Sequence, residues 1–149
     1  MSNGGVPIDD GYCFGCGPEN PIGMKVDFEN LGKEGVRAQT TLAPEFQGWR
    51  GFAHGGIAIS LLDEAMAHAA GYAGYRGVTA SMNVRFRKPI PLGQPLVVTG
   101  RVAWIRRKVL GVKAEVCDAH GSVLLEGEGH FVSRGTVDEA VDRRNPAPS

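Results

Sequence analysis

The chain has 149 residues, enough for one domain with a sizeable core, and no second domain is expected. Its 16 Lys and Arg balance its 16 Asp and Glu, so no global field draws it to nucleic acid or to an anionic membrane. Residues Met1 to Pro7 lack the basic and apolar regions of a signal peptide, and no apolar run approaches membrane-spanning length, so the expectation is a cytoplasmic protein with neither partner.

Residues 1–11 are polar and Gly-rich and are expected to be flexible. From Gly11 to Gly23, glycines and prolines recur too often for helix or strand, which predicts an ordered loop held by Tyr12, Phe14 and Ile22. That loop carries Cys13 and Cys16, two of three cysteines in the chain. An odd, small number of cysteines argues against a disulfide scaffold, and no second Cys-x-x-Cys or His pair follows at zinc-ribbon spacing. The pair is therefore read as a compact turn with no metal, and a metal module stands as the alternative, to be tested by elemental analysis.

Apolar and polar residues alternate from Met24 to Asn30 and again from Gly35 to Leu42, as in two half-buried strands joined by a turn at residues 31–34. The loop from Pro44 to Ala53 places Phe46, Trp49 and Phe52 among glycines, either as satellite core or as a pocket wall. It feeds into His54, from which a single helix is predicted to run to Gly71. Ala and Leu favour that helix, no proline interrupts it, and Gly71 is a natural stop. Apolar side chains cover most of its circumference, apart from a stripe of Ser60, Glu64 and His68 and a separate acid, Asp63. Such a helix belongs inside other structure, where a carboxylate demands a partner.

Beyond a Gly/Tyr linker, Val78 to Pro89 reads as a strand with Ala80, Met82, Val84 and Phe86 on one face and Thr79, Ser81, Asn83, Arg85 and Arg87 on the other. Three further strands are predicted at residues 96–106, 109–118 and 122–133, and the charged, Pro/Ala-rich residues 134–149 suggest a disordered tail. About six strands with short turns and one long helix make an α+β domain over residues 12–133, an antiparallel sheet wrapped around a central helix.

Four segments resemble one known family: Cys-x-x-Cys-Gly-x-x-Asn-Pro-x-Gly at residues 13–23, Phe46-Gln47-Gly48-Trp49 through His54-Gly55-Gly56, Asp63 nine residues after that His, and Val78 to Val84 leading to Pro89. Together they resemble the hotdog fold, and within it the phenylacetate-type thioesterases and their mammalian thioesterase-superfamily relatives. The resemblance implies hydrolysis of an acyl-CoA thioester, with no cofactor, at sites built across a homodimer or a dimer of dimers. It also places Gln47 as a polar group near the carbonyl and Thr79 as a hydroxyl that orients water.

The residue types fit that chemistry. Gly55 and Gly56 expose backbone N–H groups at the positive end of a helix dipole, where an oxyanion is braced, and His54 stands beside them. Asp63 supplies a general base or a nucleophile. Nine helical residues span about 13 Å, and Asp63 lies on the opposite side of the helix, so the acid that meets Gly55 and Gly56 should come from a partner subunit. Each assignment has a structural alternative: His54 as a loop cap, Glu64 as a rival acid paired with His68, and Thr79 as an ordinary strand residue. For the phosphates of CoA, Arg85, Arg87 and Lys88 are the favoured cations, with Arg106, Arg107 and Lys108 as a second cluster. Acyl-ligand binding without turnover is the alternative function.

Overall fold

The computed structural model describes residues 7–136. In chain order it contains β1 (Glu29–Asn30), β2 (Val36–Thr40), α1 (Gly55–Tyr72), β3 (Tyr75–Phe86), β4 (Leu96–Arg106), β5 (Val109–Asp118) and β6 (Val123–Thr136). The strands form one antiparallel sheet in the order β1-β2-β4-β5-β6-β3, which curls around α1. This is the hotdog architecture. Within the described residues, no helix is long and apolar enough to cross a membrane.

The helix buries Ala58, Leu61, Leu62, Ala65, Met66, Ala69 and Ala70 against the sheet. Small residues bring the two layers close. At Gly100 in β4 a Cβ would lie 2.6 Å from the Ala65 carbonyl oxygen, and at Gly129 in β6 it would meet the Met66 sulfur at 3.0 Å. The sheet contributes Leu96, Val98, Leu110, Val112, Val116, Leu125 and Phe131, all fully or almost fully buried. Tight hairpins join β4 to β5 and β5 to β6. In the second, the Asp118 carboxylate accepts from the N–H groups of both His120 and Ser122 at 2.9 Å, the local bonding that suits Asp to turns.

The helix and the strands β4 and β5 occupy the predicted spans. Elsewhere the structure corrects the sequence reading. Met24, Val26 and Phe28 are buried and alternate with exposed neighbours, yet only Glu29 and Asn30 pair with β2. The period of two reports burial here and not a sheet ladder. In the loop before it, Tyr12 and Ile22 are exposed, so Phe14 and backbone bonds from Met24 and Val26 to the carbonyls of Phe14 and Gly15 hold the segment instead. Trp49 is 88% exposed and contributes nothing to the core, whereas Phe46 packs against it. Residues 134–136, assigned from sequence to the tail, continue β6, and Thr136 pairs with Tyr75. The remainder of that tail, residues 137–149, and residues 1–6 of the expected flexible N-terminus lie outside the described residues.

The most consequential difference lies in β3. Its register against β6 passes from Thr79 opposite Phe131 to Ser81 opposite His130, so Ala80 is an extra residue in a β-bulge. A bulge breaks strict alternation. Thr79 consequently joins Met82, Val84 and Phe86 on the side that faces α1, contrary to its predicted place beside Ser81 and Arg85.

Candidate active site

Asp63 projects from α1 toward β3, the edge strand of the sheet. The Thr79 hydroxyl donates a hydrogen bond of 2.6 Å to its Oδ1, a contact that exists because the bulge at Ala80 turns Thr79 inward. Burial pushes the Asp63 carboxyl above the ordinary carboxylate range, the Thr79 hydrogen bond opposes that shift, and the neighbouring charge of Glu64 adds to it. The site therefore holds a half-buried carboxylate of heightened basicity with one fixed partner.

At the N-terminus of the helix, His54 is the N-cap of α1. Its Nδ1 accepts from the Gly56 N–H at 3.0 Å, and its backbone N–H donates to the Phe46 carbonyl at 2.9 Å. The structure thus gives His54 the capping role, and the Gly56 N–H is engaged by it. Gly55 is the first helical residue, so its N–H has no carbonyl one turn back to bind. Gly55 is also open to approach: the nearest atom to a Cβ there would be Phe86 Cζ, 3.8 Å away. Both glycines are exposed.

Gln47 begins the loop that returns to His54. Its Oε1 accepts from the Gly51 N–H at 2.9 Å, which ties the loop across its base and leaves the side-chain NH2 as the group able to donate outward. Phe46, Gln47, Gly55 and Gly56 therefore gather at the helix N-terminus, and Asp63 and Thr79 form a second group two turns along.

The cations divide differently. Arg87 pairs with Glu126 at 2.8 Å, and Arg85 lies in an open groove with Glu126 and Glu128, on the sheet face turned away from α1. That groove, of about 540 Å³, mixes acids and bases and touches neither Asp63 nor Gly55. Lys88 follows the end of β3, close in sequence to the Phe86 that abuts Gly55. Arg106, Arg107 and Lys108 sit exposed at the β4–β5 hairpin.

Sequence reasoning set Glu64 aside as a structural partner of His68, and that i,i+4 pair is present at 3.5 Å. It did not foresee the other neighbour of Glu64. The Cys13 thiol donates to Glu64 Oε1 at 3.2 Å, across 51 residues of chain. Burial works to raise the Glu64 carboxyl, but hydrogen bonds from His68, Cys16 and Cys13 outweigh it and hold the group below its ordinary range. Donation from Cys16, through its thiol first and then its backbone N–H, draws Cys13 down to about 7 against the opposing effects of burial and of Glu64.

Comparison with known proteins identifies relatives of the chain. The family profile described as thioesterase superfamily matches residues 50–125. Mouse acyl-coenzyme A thioesterase THEM5 is 37% identical over 67 residues, which are 45% of this chain and 27% of that protein. The chain thus spans about a quarter of the length of the curated relative it matches. A crystal structure of a thioesterase superfamily protein superposes with a TM-score of 0.78 at 33% identity, covering 82% of this chain and 60% of the other. A Streptococcus mutans protein crystallised with acetyl-CoA shares the fold, with a TM-score of 0.72 at 22% identity over 80% of this chain and 96% of its own.

Proposed function

The chain belongs to the thioesterase superfamily, and from that premise we propose that it hydrolyses an acyl-CoA thioester to the free acid and CoA, at sites shared by two copies of the chain. The observation that carries this reading is the Asp63–Thr79 pair, a raised carboxylate fixed at 2.6 Å beside the edge strand. A thioester carbonyl requires a nucleophile and a brace for its oxyanion, and its thiolate leaves with little help. The Gly55 N–H supplies the first donor of the brace, and Gly56 supplies a second once His54 releases it. Gln47 assists through its side-chain NH2, its Oε1 being held by the Gly51 N–H. Asp63 activates water or accepts the acyl group, and Thr79 keeps its carboxylate in place.

Within one chain, Asp63 and Gly55 are separated by eight helical residues, about 12 Å. The proposed arrangement therefore brings Asp63 of one copy to Gly55 of the other in a homodimer. Two features support it. Among the described residues β3 has only β6 as a strand neighbour, and its free edge exposes Val78 and Phe86. For the CoA phosphates, Lys88 is the cation best placed near the helix N-terminus; Arg87 would have to give up Glu126, and Arg85 faces the outer groove.

Free-thiol release from a panel of short, long and aromatic acyl-CoA thioesters tests the function. Turnover of at least one class, by a protein that sediments as a dimer or larger, is expected. A second reading, acyl-ligand binding without turnover, draws on the engagement of the Gly56 N–H by His54. Saturable binding by calorimetry with no thiol release from any of the panel would establish it instead.

The pH dependence follows from the site. Hydrolysis needs ionised Asp63, so the rate falls as pH drops through its pKa, which burial has raised. Replacing Thr79 by Val removes the hydrogen bond that favours the charged form, so the acidic limb of kcat/KM is expected to move to higher pH still. An unmoved limb in a folded Thr79→Val protein would show that Thr79 does not act on Asp63.

A further inference from the structure

The loop at residues 13–17 and the centre of α1 meet at a cluster that the thioesterase chemistry does not use. The Cys13 and Cys16 sulfurs and a Glu64 oxygen all lie within 4.8 Å of one another. Cys16 is buried, Glu64 is mostly so, and Cys13 is half-buried. We propose that Cys13, Cys16 and Glu64 bind one zinc ion per chain, which fastens the N-terminal loop to the central helix.

Several independent features of the local structure favour an ion. The Cys13 Sγ to Glu64 Oε1 distance of 3.2 Å is close to the separation of two ligands on a tetrahedral zinc with bonds of about 2.0–2.3 Å. The loop turns as a compact knuckle, with the Gly17 N–H on the Cys13 carbonyl at 2.8 Å. The intervening glycines are required by this packing. A Cβ on Gly15 would overlap the Glu64 side chain, and one on Gly17 would overlap the backbone of Cys13. The loop is thus pressed onto Glu64, and both sulfurs converge on its carboxylate.

The remaining shell is also in place. His68 Nε2 lies 3.5 Å from the second oxygen, Oε2, of Glu64. Its ring stacks on Phe28, with centroids 4.8 Å apart, which fixes its orientation. Carboxylates that ligate a metal are themselves held by outer-shell hydrogen bonds, and His68 is placed to supply one. Binding releases two thiol protons to solvent, and the two thiolates and the carboxylate then face a dication, with water completing the coordination. The sequence alone could not show this site, because Glu64 is 51 residues from Cys13.

Elemental analysis of the full chain, purified under reducing conditions from zinc-supplemented cells, is expected to find one zinc per chain. Cobalt(II) added to the metal-free protein is expected to give thiolate-to-metal charge-transfer absorption, saturating at one equivalent. Cys16→Ser should abolish that absorption, and Cys117→Ser, at a distant thiol in β5, should leave it unchanged. His68→Ala should retain the absorption but weaken zinc about 10- to 100-fold in competition with a chelator. Absence of both stoichiometric zinc and the charge-transfer band in the reduced wild type would overturn the proposal. Recovery of Cys13 and Cys16 as a disulfide that binds no cobalt after reduction would overturn it equally. The wild-type titration alone decides the matter if the variants fail to fold.

Discussion

Asp63→Asn is expected to lower kcat for acyl-CoA hydrolysis by about 10²- to 10⁴-fold, the usual contribution of a positioned general base, and by more if Asp63 is the acyl acceptor. The substitution conserves size, and the amide oxygen can still accept from Thr79, so the 2.6 Å contact and the fold should survive. What is lost is the negative charge that attacks or deprotonates. KM should change little, since the proposed carbonyl brace at Gly55 and the proposed cations for CoA are untouched. The measurement is steady-state thiol release by wild type and variant, with sedimentation to confirm an unchanged assembly. Activity within a factor of three of wild type would exclude Asp63 as base and nucleophile, and Glu64 would not replace it readily: its carboxylate is held by His68, Cys13 and Cys16. The shared-site arrangement can be tested with the same variant. Mixing Asp63→Asn chains with Gly55→Val chains, each inactive alone, should restore activity, because one of the two sites in a mixed dimer would then hold both intact groups.

Much of this architecture is legible in the sequence because it depends on local periodicity. The helix is visible because Leu61, Leu62, Ala65, Met66, Ala69 and Ala70 recur at helical spacing, and its start because His54 precedes two glycines. Strands β4 and β5 are visible because each is bounded by turn residues. What stays hidden depends on partners distant in the chain. Whether Met24 to Phe28 pairs with a neighbour depends on where β2 lies, and residue alternation reports only that one side is buried. The orientation of Thr79 reverses because of one extra residue, Ala80, and a single-residue bulge leaves no mark on composition. The cations of β3 show the same limit. Arg85 and Arg87 alternate correctly, but which face of the sheet looks toward α1 is fixed by Gly127 and Gly129 in the neighbouring strand, where small residues admit Leu62 and Met66. The knuckle at Cys13 looks incomplete in sequence because its third participant is on the helix.

That long-range dependence can be measured at Phe131. Its side chain is the largest of those fully buried, 1% exposed, and it stands on β6 between Leu110 of β5 and Thr79 of β3. The ring covers Gly77, where a Cβ would meet it at 3.2 Å, so β3 rests on Phe131 just before the bulge. Phe131→Ala is expected to cost about 3–5 kcal/mol, from lost transfer energy and the cavity left behind. That is a large part of the ~5–15 kcal/mol stability of a typical domain, and it should lower Tm by roughly 10 °C. Leu96→Ala provides the comparison, a fully buried residue of β4 whose strand neighbours are Thr40 and Asp118, remote from the bulge, with an expected cost of about 2–5 kcal/mol. Stability should fall in both variants. Only Phe131→Ala should also reduce kcat per folded molecule, because loss of the ring lets β3 settle and carries the Thr79 hydroxyl away from Asp63. Equal kcat in the two variants, each assayed well below its own Tm, would mean that the bulge holds its shape without Phe131. A stability loss under 1 kcal/mol would mean that the core beneath β3 collapses around the gap.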